Sequence, residues 1–191
     1  MRIILASKSP RRKELLQTLF QEFECIPSEK EEKITKRLGY KKTAMLLSAQ
    51  KAGDIFSKTS GDRLVIGSDT VVVLNGKIYG KPKDKQDAFN TLKTLSGKTH
   101  VVATGICLIK EQSGVVQMES ACVVSKVTFN KLTNEEINSY IESGEPMDKA
   151  GSYGCQGIGK KFVKKIDGDF FAVMGLPVNK TYELCKQLEV L

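Results

Sequence analysis

Runs and periodicities of apolar residues divide the chain into short strands and amphipathic helices. Arg2 to Ala6 reads as a strand. Ser9-Pro10 then opens a helix, because serine caps free N–H groups and proline loses nothing at the first helical position. Leu15, Leu16 and Leu19 give that helix its apolar stripe. Phe23 to Pro27 can form a second strand. From Lys42 to Lys58, the residues Ala44, Leu47, Ala49, Ala52, Ile55 and Phe56 recur at helical spacing. Leu64 to Val73, LVIGSDTVVV, has the β-branched composition of a strand buried on both faces. Asn75-Gly76 turns it back into Lys77 to Gly80. Asp84 caps a helix carrying Ala88, Phe89, Leu92 and Leu95, which Ser96-Gly97 stops. His100 to Lys110 and Val115 to Phe129 are two long strands joined at Ser113-Gly114. Thr133-Asn134-Glu135-Glu136 is a capping box for a helix ending near Ser143. Phe162 to Ile166 and Phe171 to Met174 read as a hairpin around Asp167-Gly168, and Gly175-Leu176-Pro177 leads into a final helix to about Leu188.

Two stretches break this pattern. The first is Gly67-Ser68-Asp69-Thr70, set inside the apolar run of Leu64 to Val73. A carboxylate on a buried strand is costly unless it is paired or binds a metal. A turn at this point is the simpler reading, but Val71-Val72-Val73 resumes the strand at once, so Asp69 is the leading candidate for a working acid. The second is Gly144 to Gly159, GEPMDKAGSYGCQGIG, with five glycines in a loop too long for a simple connection. Within it Gln156 offers one carbonyl acceptor and two N–H donors, enough to read a nucleobase edge. A loop glutamine satisfying its own backbone is the alternative.

Other candidates gather around anion chemistry. A strand feeding a loop and a helix start exposes backbone N–H groups to phosphate. Ser7 lies in that loop, and Arg11 and Arg12 add forked donors, although an arginine pair at a helix start is often simply solvated. Lys51 sits near the apolar face of its helix, where it can point at the site or simply snorkel, and Lys81 follows a strand end where it can reach a phosphate. Most charge runs like the one after Ser28 are solvated loops, but Glu31 within it can join Asp69 around a hard cation, since a lone carboxylate holds Mg²⁺ poorly.

Composition narrows the classes. A chain of 191 residues, 40% hydrophobic and 27% charged, fits one soluble domain over residues 1–191, two-lobed at most. No apolar run reaches the roughly 18 residues of a membrane span, and MRIILASKSPRR turns charged too early for a signal peptide. A cytoplasmic protein is expected. Five scattered cysteines without a Cys-x-x-Cys pair support neither a disulfide framework nor a zinc site. His100 is the one histidine, which argues against histidine-based triads and multi-histidine metal sites, and a hydrogen-bonded structural role is expected for it. A net charge of +8 favours an anionic ligand. The basic residues are dispersed and few aromatics alternate with them, so nucleic acid is not expected.

Six motifs stand in order along nearly the whole chain: Ser7-Lys8-Ser9-Pro10-Arg11-Arg12, Gly67-Ser68-Asp69-Thr70, Gly80-Lys81-Pro82, Leu95-Ser96-Gly97, Glu145 to Gly151 with Gln156-Gly157, and Gly175-Leu176-Pro177. Together they resemble the Maf family of nucleoside triphosphate pyrophosphatases, related in fold to the inosine triphosphate pyrophosphatases. The resemblance implies an α/β fold with a long mixed β-sheet flanked by helices, two lobes with a central cleft, and a homodimer. It implies that Asp69 accepts a proton, that Arg11, Thr70 and Gln156 set specificity, and that Lys51, Lys81 and Glu31 serve phosphates and a divalent metal, Mg²⁺ or Mn²⁺. The late loop looks like that of the branch acting on dTTP and UTP, with CTP or modified pyrimidine nucleotides as further candidates. Housecleaning of the nucleotide pool is the implied role, and a non-catalytic regulator of septum formation is the competing one. Ser68, Cys155 and Ala172 depart from the residues common in the family, the last two bearing on base preference.

Overall fold

The computed structural model describes residues 1–29 and 38–191. Its strands are β1 (Arg2–Leu5), β2 (Glu24–Cys25), β3 (Arg63–Leu74), β4 (Lys77–Tyr79), β5 (Thr99–Gln112), β6 (Val115–Phe129) and β7 (Val163–Asp167). Its α-helices are α1 (Pro10–Leu16), α2 (Tyr40–Lys58), α3 (Lys85–Leu95), α4 (Asn134–Glu142), α5 (Phe170–Met174) and α6 (Val178–Gln187). The strands form one mixed sheet in the order β2-β1-β3-β5-β6-β7, with β4 paired to β3. β1 runs parallel to β2 and β3, whereas the β3–β4 and β6–β7 pairs are antiparallel. This is the mixed sheet with helices packed on it that the sequence led us to expect. No described helix is long and apolar enough to cross a membrane.

The chain divides into two compact units. One comprises Met1–Asp69, Thr104–Val123 and Gly175–Leu191; the other comprises Thr70–Ala103 and Val124–Met174. In the first, Ile4, Val65, Cys107 and Ile109 pack with Ala52 and Ile55 of α2. Two glycines bring that helix onto the strands. A Cβ on Gly67 would lie 2.3 Å from the Ser48 carbonyl oxygen, and one on Gly105 would lie 2.1 Å from that of Ala44. The backbone of α2 therefore rests directly on β3 and β5, a contact no other residue type allows without displacement.

In the second unit, Leu92 and Leu95 of α3 and Ile137, Tyr140 and Ile141 of α4 pack against Val72, Val102, Val127 and Phe129 of the strands. Local chemistry sets the helix starts as the sequence predicts. Asp84 accepts from the Asp87 N–H at 2.8 Å, and Thr133 and Glu136 form the reciprocal capping box of α4. At Asn75-Gly76 both residues have positive φ, 51° and 77°, the backbone of a tight two-residue hairpin. His100 is buried at the heart of an aromatic cluster, edge-on to Phe129 and Tyr153, with its Nε2 2.8 Å from the Tyr153 hydroxyl.

One expected element is different. Phe171 to Met174 is not the second strand of a hairpin but belongs to α5. The Asp169 carboxylate accepts from the Phe171 and Ala172 N–H groups at 2.8 and 3.1 Å, so an N-cap converts the apolar run into a helical turn. The antiparallel partner of β7 is β6.

Candidate active site

The interruption in β3 is a continuous strand, not a turn: all of Arg63–Leu74 is extended, and Asp69 is buried at 7% exposure. The cost of that carboxylate is met by Lys51, whose ammonium donates directly to the Asp69 Oδ1. α2 places Lys51 one residue before Ala52, which is seated on Gly67, and this close seating brings the ammonium to the acid. The side chains of this ion pair are 16% and 10% exposed, so the attraction is little screened by water. Lys51 is thus part of the acid's surroundings, not a snorkelling surface residue.

Beside it, Ser68 does cross-linking work. Its fully buried hydroxyl lies 2.9 Å from the Gly105 carbonyl and 2.8 Å from that of Gly175. The Gly175 carbonyl also accepts from Arg12 Nε at 2.8 Å. One carbonyl in the Gly175-Leu176-Pro177 segment therefore joins α1 to β3. Ser9 caps α1 as expected, its hydroxyl 3.5 Å from the Arg12 N–H. The Ser7 hydroxyl accepts from the Ser9 N–H at 3.1 Å, which folds the loop between β1 and α1 back on itself. Arg11 is half-buried at the start of α1. Ser7, Arg11, Arg12, Lys51 and Asp69 all belong to the first unit.

Thr70, Lys81 and Gln156 belong to the second. The glycine-rich segment carrying Gln156 folds as three short 3-10 turns, Glu145–Asp148, Ala150–Ser152 and Gly157–Phe162. The Gly151 N–H donates to the Gly80 carbonyl at 3.0 Å, tying the segment to the residue before Lys81. Gly151 has φ of 68° and so little room that a Cβ would lie 2.8 Å from Val72, two positions beyond Thr70. Lys81 is exposed, and Thr70 and Gln156 are half-buried.

A pair of residues that sequence reasoning passed over organises this segment. The Glu145 carboxylate accepts from the Tyr140 hydroxyl at 2.9 Å and from the Ile158 and Gly159 N–H groups at 2.8 and 3.3 Å. Burial pushes the Glu145 carboxyl up, but the Ile158 N–H, the Tyr140 hydroxyl, the Gly159 N–H and nearby Lys149 outweigh it and hold it below the usual range. Burial, together with that carboxylate, holds the Tyr140 phenol well above its ordinary value. A signal was present in the sequence, an acid opening a glycine-rich loop, but nothing in the spacing tied it to Tyr140.

Glu31 lies outside the described residues, so its part in holding a cation is carried by no geometry. Among the described residues, no three His, Cys, Asp or Glu side chains converge on one point.

Residues 2–188 match the family described as "Maf-like protein", and the chain belongs to that family. Two near full-length relatives carry the name dTTP/UTP pyrophosphatase. The one from Aquifex aeolicus is 46% identical, with 100% of this chain and 97% of the relative covered. The one from Alkaliphilus oremlandii is 51% identical, covering 93% and 91%. The solved structure of the Staphylococcus aureus Ham1 protein is 15% identical with a TM-score of 0.45, covering 85% of this chain and 80% of that one.

Proposed function

We propose that this chain hydrolyses dTTP and UTP to the nucleoside monophosphate and pyrophosphate. The observation that carries the reading is Asp69, a buried carboxylate held by Lys51 in the middle of an otherwise apolar strand. The names of the near full-length relatives give the substrate class.

In this reading water attacks the α-phosphorus while charge grows on the phosphate oxygens, so positioned cations and N–H donors supply most of the acceleration. Asp69 orients the water and takes its proton. Lys51, Lys81, Arg11 and Arg12 hold the triphosphate, and Ser7 adds a neutral donor. Thr70 and Gln156 contact the base. A divalent cation, Mg²⁺ or Mn²⁺, held by Asp69, Glu31 and the substrate's own phosphates, would lower the pKa of the attacking water and neutralise developing charge. The reading extends to CTP or modified pyrimidine nucleotides as minor substrates, to a housecleaning role in the cytoplasm, and to a two-fold homodimer, the commonest closed assembly.

The experiment is a pyrophosphate-release assay over common and modified triphosphates, with and without Mg²⁺ or Mn²⁺. Steady, cation-dependent release favouring dTTP and UTP is expected. Tight nucleotide binding without release would replace the enzyme by a regulator.

A further inference from the structure

The segment around Gln156 is anchored at both of its ends to the same two side chains. On the near side, the Gly154 N–H donates to the Tyr140 hydroxyl at 3.2 Å. On the far side, the Ile158 and Gly159 N–H groups donate to the Glu145 carboxylate, which the Tyr140 hydroxyl also reaches. Cys155, Gln156 and Gly157 span the gap between these anchors. Among the described residues no hydrogen bond engages the Gln156 side-chain amide itself. The backbone of residues 154–159 fixes the Cα position and the Cα–Cβ direction from which that amide extends.

The glycines show that this backbone is shaped to the carboxylate. Gly157 has φ of 66°, and a Cβ there would lie 2.7 Å from Glu145 Oε2. A Cβ on Gly159 would lie 2.6 Å from the Gly154 carbonyl oxygen and 2.7 Å from the Tyr140 hydroxyl. On Gly154 it would meet the Lys149 stem at 3.0 Å. The Lys149 ammonium in turn donates to the Glu145 backbone carbonyl. Three donors meet two carboxylate oxygens, and only a group that accepts at both satisfies them all. A glutamine would turn an NH₂ toward either Ile158 or the Tyr140–Gly159 pair.

We propose that Glu145, acting with Tyr140 through the backbone of residues 154–159, is a positioning residue that aims Gln156 and so sets the discrimination among bases. The proposal rests on the reading of Gln156 as a base contact. Glu145 touches no reacting atom in it. Its effect is on which base is accepted, not on the hydrolysis that Asp69 performs.

The test compares kcat/KM for dTTP with that for CTP in the full chain and in Glu145→Gln, Tyr140→Phe, Gln156→Ala and the Glu145→Gln/Gln156→Ala double variant. Inhibition by inorganic tripolyphosphate reports on the phosphate grip. Glu145→Gln should lower the dTTP:CTP ratio roughly fivefold to tenfold, the scale of one misaligned hydrogen bond, with tripolyphosphate inhibition unchanged. In the Gln156→Ala background the same substitution should move the ratio no further. A general loss of folded enzyme would slow both substrates equally and leave the ratio alone, which would overturn the proposal. A ratio that collapses in Gln156→Ala but not in Glu145→Gln would overturn it too, while keeping the base contact. If Gln156→Ala itself leaves the ratio intact, the underlying reading falls and the proposal with it. Should Glu145→Gln fail to fold, Tyr140→Phe decides the matter, since it removes the hydroxyl that ties Gly154 to Glu145 at almost constant volume. A partial fall in the ratio supports the proposal and an unchanged one overturns it.

Discussion

Asp69 and His100 are both buried ionisable groups, and they meet the cost of burial in opposite ways. Asp69 stays a partner to a cation, the Lys51 ammonium. Asp69→Asn keeps its shape and removes the charge. We expect kcat to fall by a factor of about 10² to 10⁴, the usual loss for a positioned acid or base, with the chain still folded but unfolding at a lower temperature, because the Lys51 ammonium loses this carboxylate. Turnover within a few-fold of the parent would remove Asp69 from the chemistry. His100 instead gives up its charge: burial pushes its imidazole down to about 4. Its Nδ1 has no partner among the described residues, and its one polar neighbour there, the Tyr153 hydroxyl, is itself held protonated by burial. The folded chain therefore resists taking a proton that the unfolded chain accepts at about 6.5. Stability should be complete above that pH and decline as pH falls from about 6.5 toward 4, by roughly 3 kcal/mol in total. Urea midpoints at pH 7, 6 and 5 read this directly. His100→Gln should lose most of the decline between pH 6.5 and 5, where few carboxylates titrate, and an unchanged slope would place the pH dependence elsewhere.

At the scale of elements, the seating of α2 on β3 and β5 decides which glycines matter. Gly105→Ala sets a methyl 2.1 Å from the Ala44 carbonyl oxygen, so the helix must lift, at a cost at or above the roughly 1–3 kcal/mol typical of overpacking. Gly53→Ala, within α2, meets nothing within 4 Å and should gain about 0.5–1 kcal/mol from helix propensity alone. Denaturant titration of the two variants should give opposite signs; matching signs would mean that helix and strands do not pack as described. The same elements show what the sequence could reveal. Strands and helices announced by local chemistry were legible: the Asp84 cap, the Thr133–Glu136 capping box, the Asn75-Gly76 hairpin and the unbroken strand through Asp69. Phe171 to Met174 was misread because an apolar run of that length suits a strand or a helix, and the deciding Asp169 cap is a single residue. The Lys51–Asp69 pair was only half legible. Each residue stood out alone, but their meeting depends on Gly67 and Gly105 lowering the helix, a contact across distant segments that no periodicity encodes. The shared Gly175 carbonyl was invisible for the same reason, whereas Tyr140 and Glu145 are only five residues apart and were missed because their bond closes over a helix end that no periodicity marks.

At the scale of the whole molecule, the first unit is assembled from three separated segments, the last of them Gly175–Leu191. That segment supplies acceptors to donors made long before it. Gly175 serves Arg12 and Ser68, and the Leu188 carbonyl accepts from the buried Lys110 ammonium at 2.6 Å. A chain ending at Met174 would leave a guanidinium N–H and an ammonium without those acceptors, each loss worth roughly 1.5–3 kcal/mol for a charged donor. We expect such a truncation to be isolated as insoluble or protease-sensitive protein without turnover, and a folded, active product would show the segment to be dispensable. On the ribosome, where synthesis runs from the N-terminus and domains form as their residues emerge, the second unit has all of its residues once Met174 is out of the tunnel. The strand bearing Asp69 has to wait for Gly175–Leu191. A stalled or prematurely terminated chain therefore carries the acid but not the framework that holds its strand, so an incomplete copy does not become a loose, unselective hydrolase in a cell full of triphosphates.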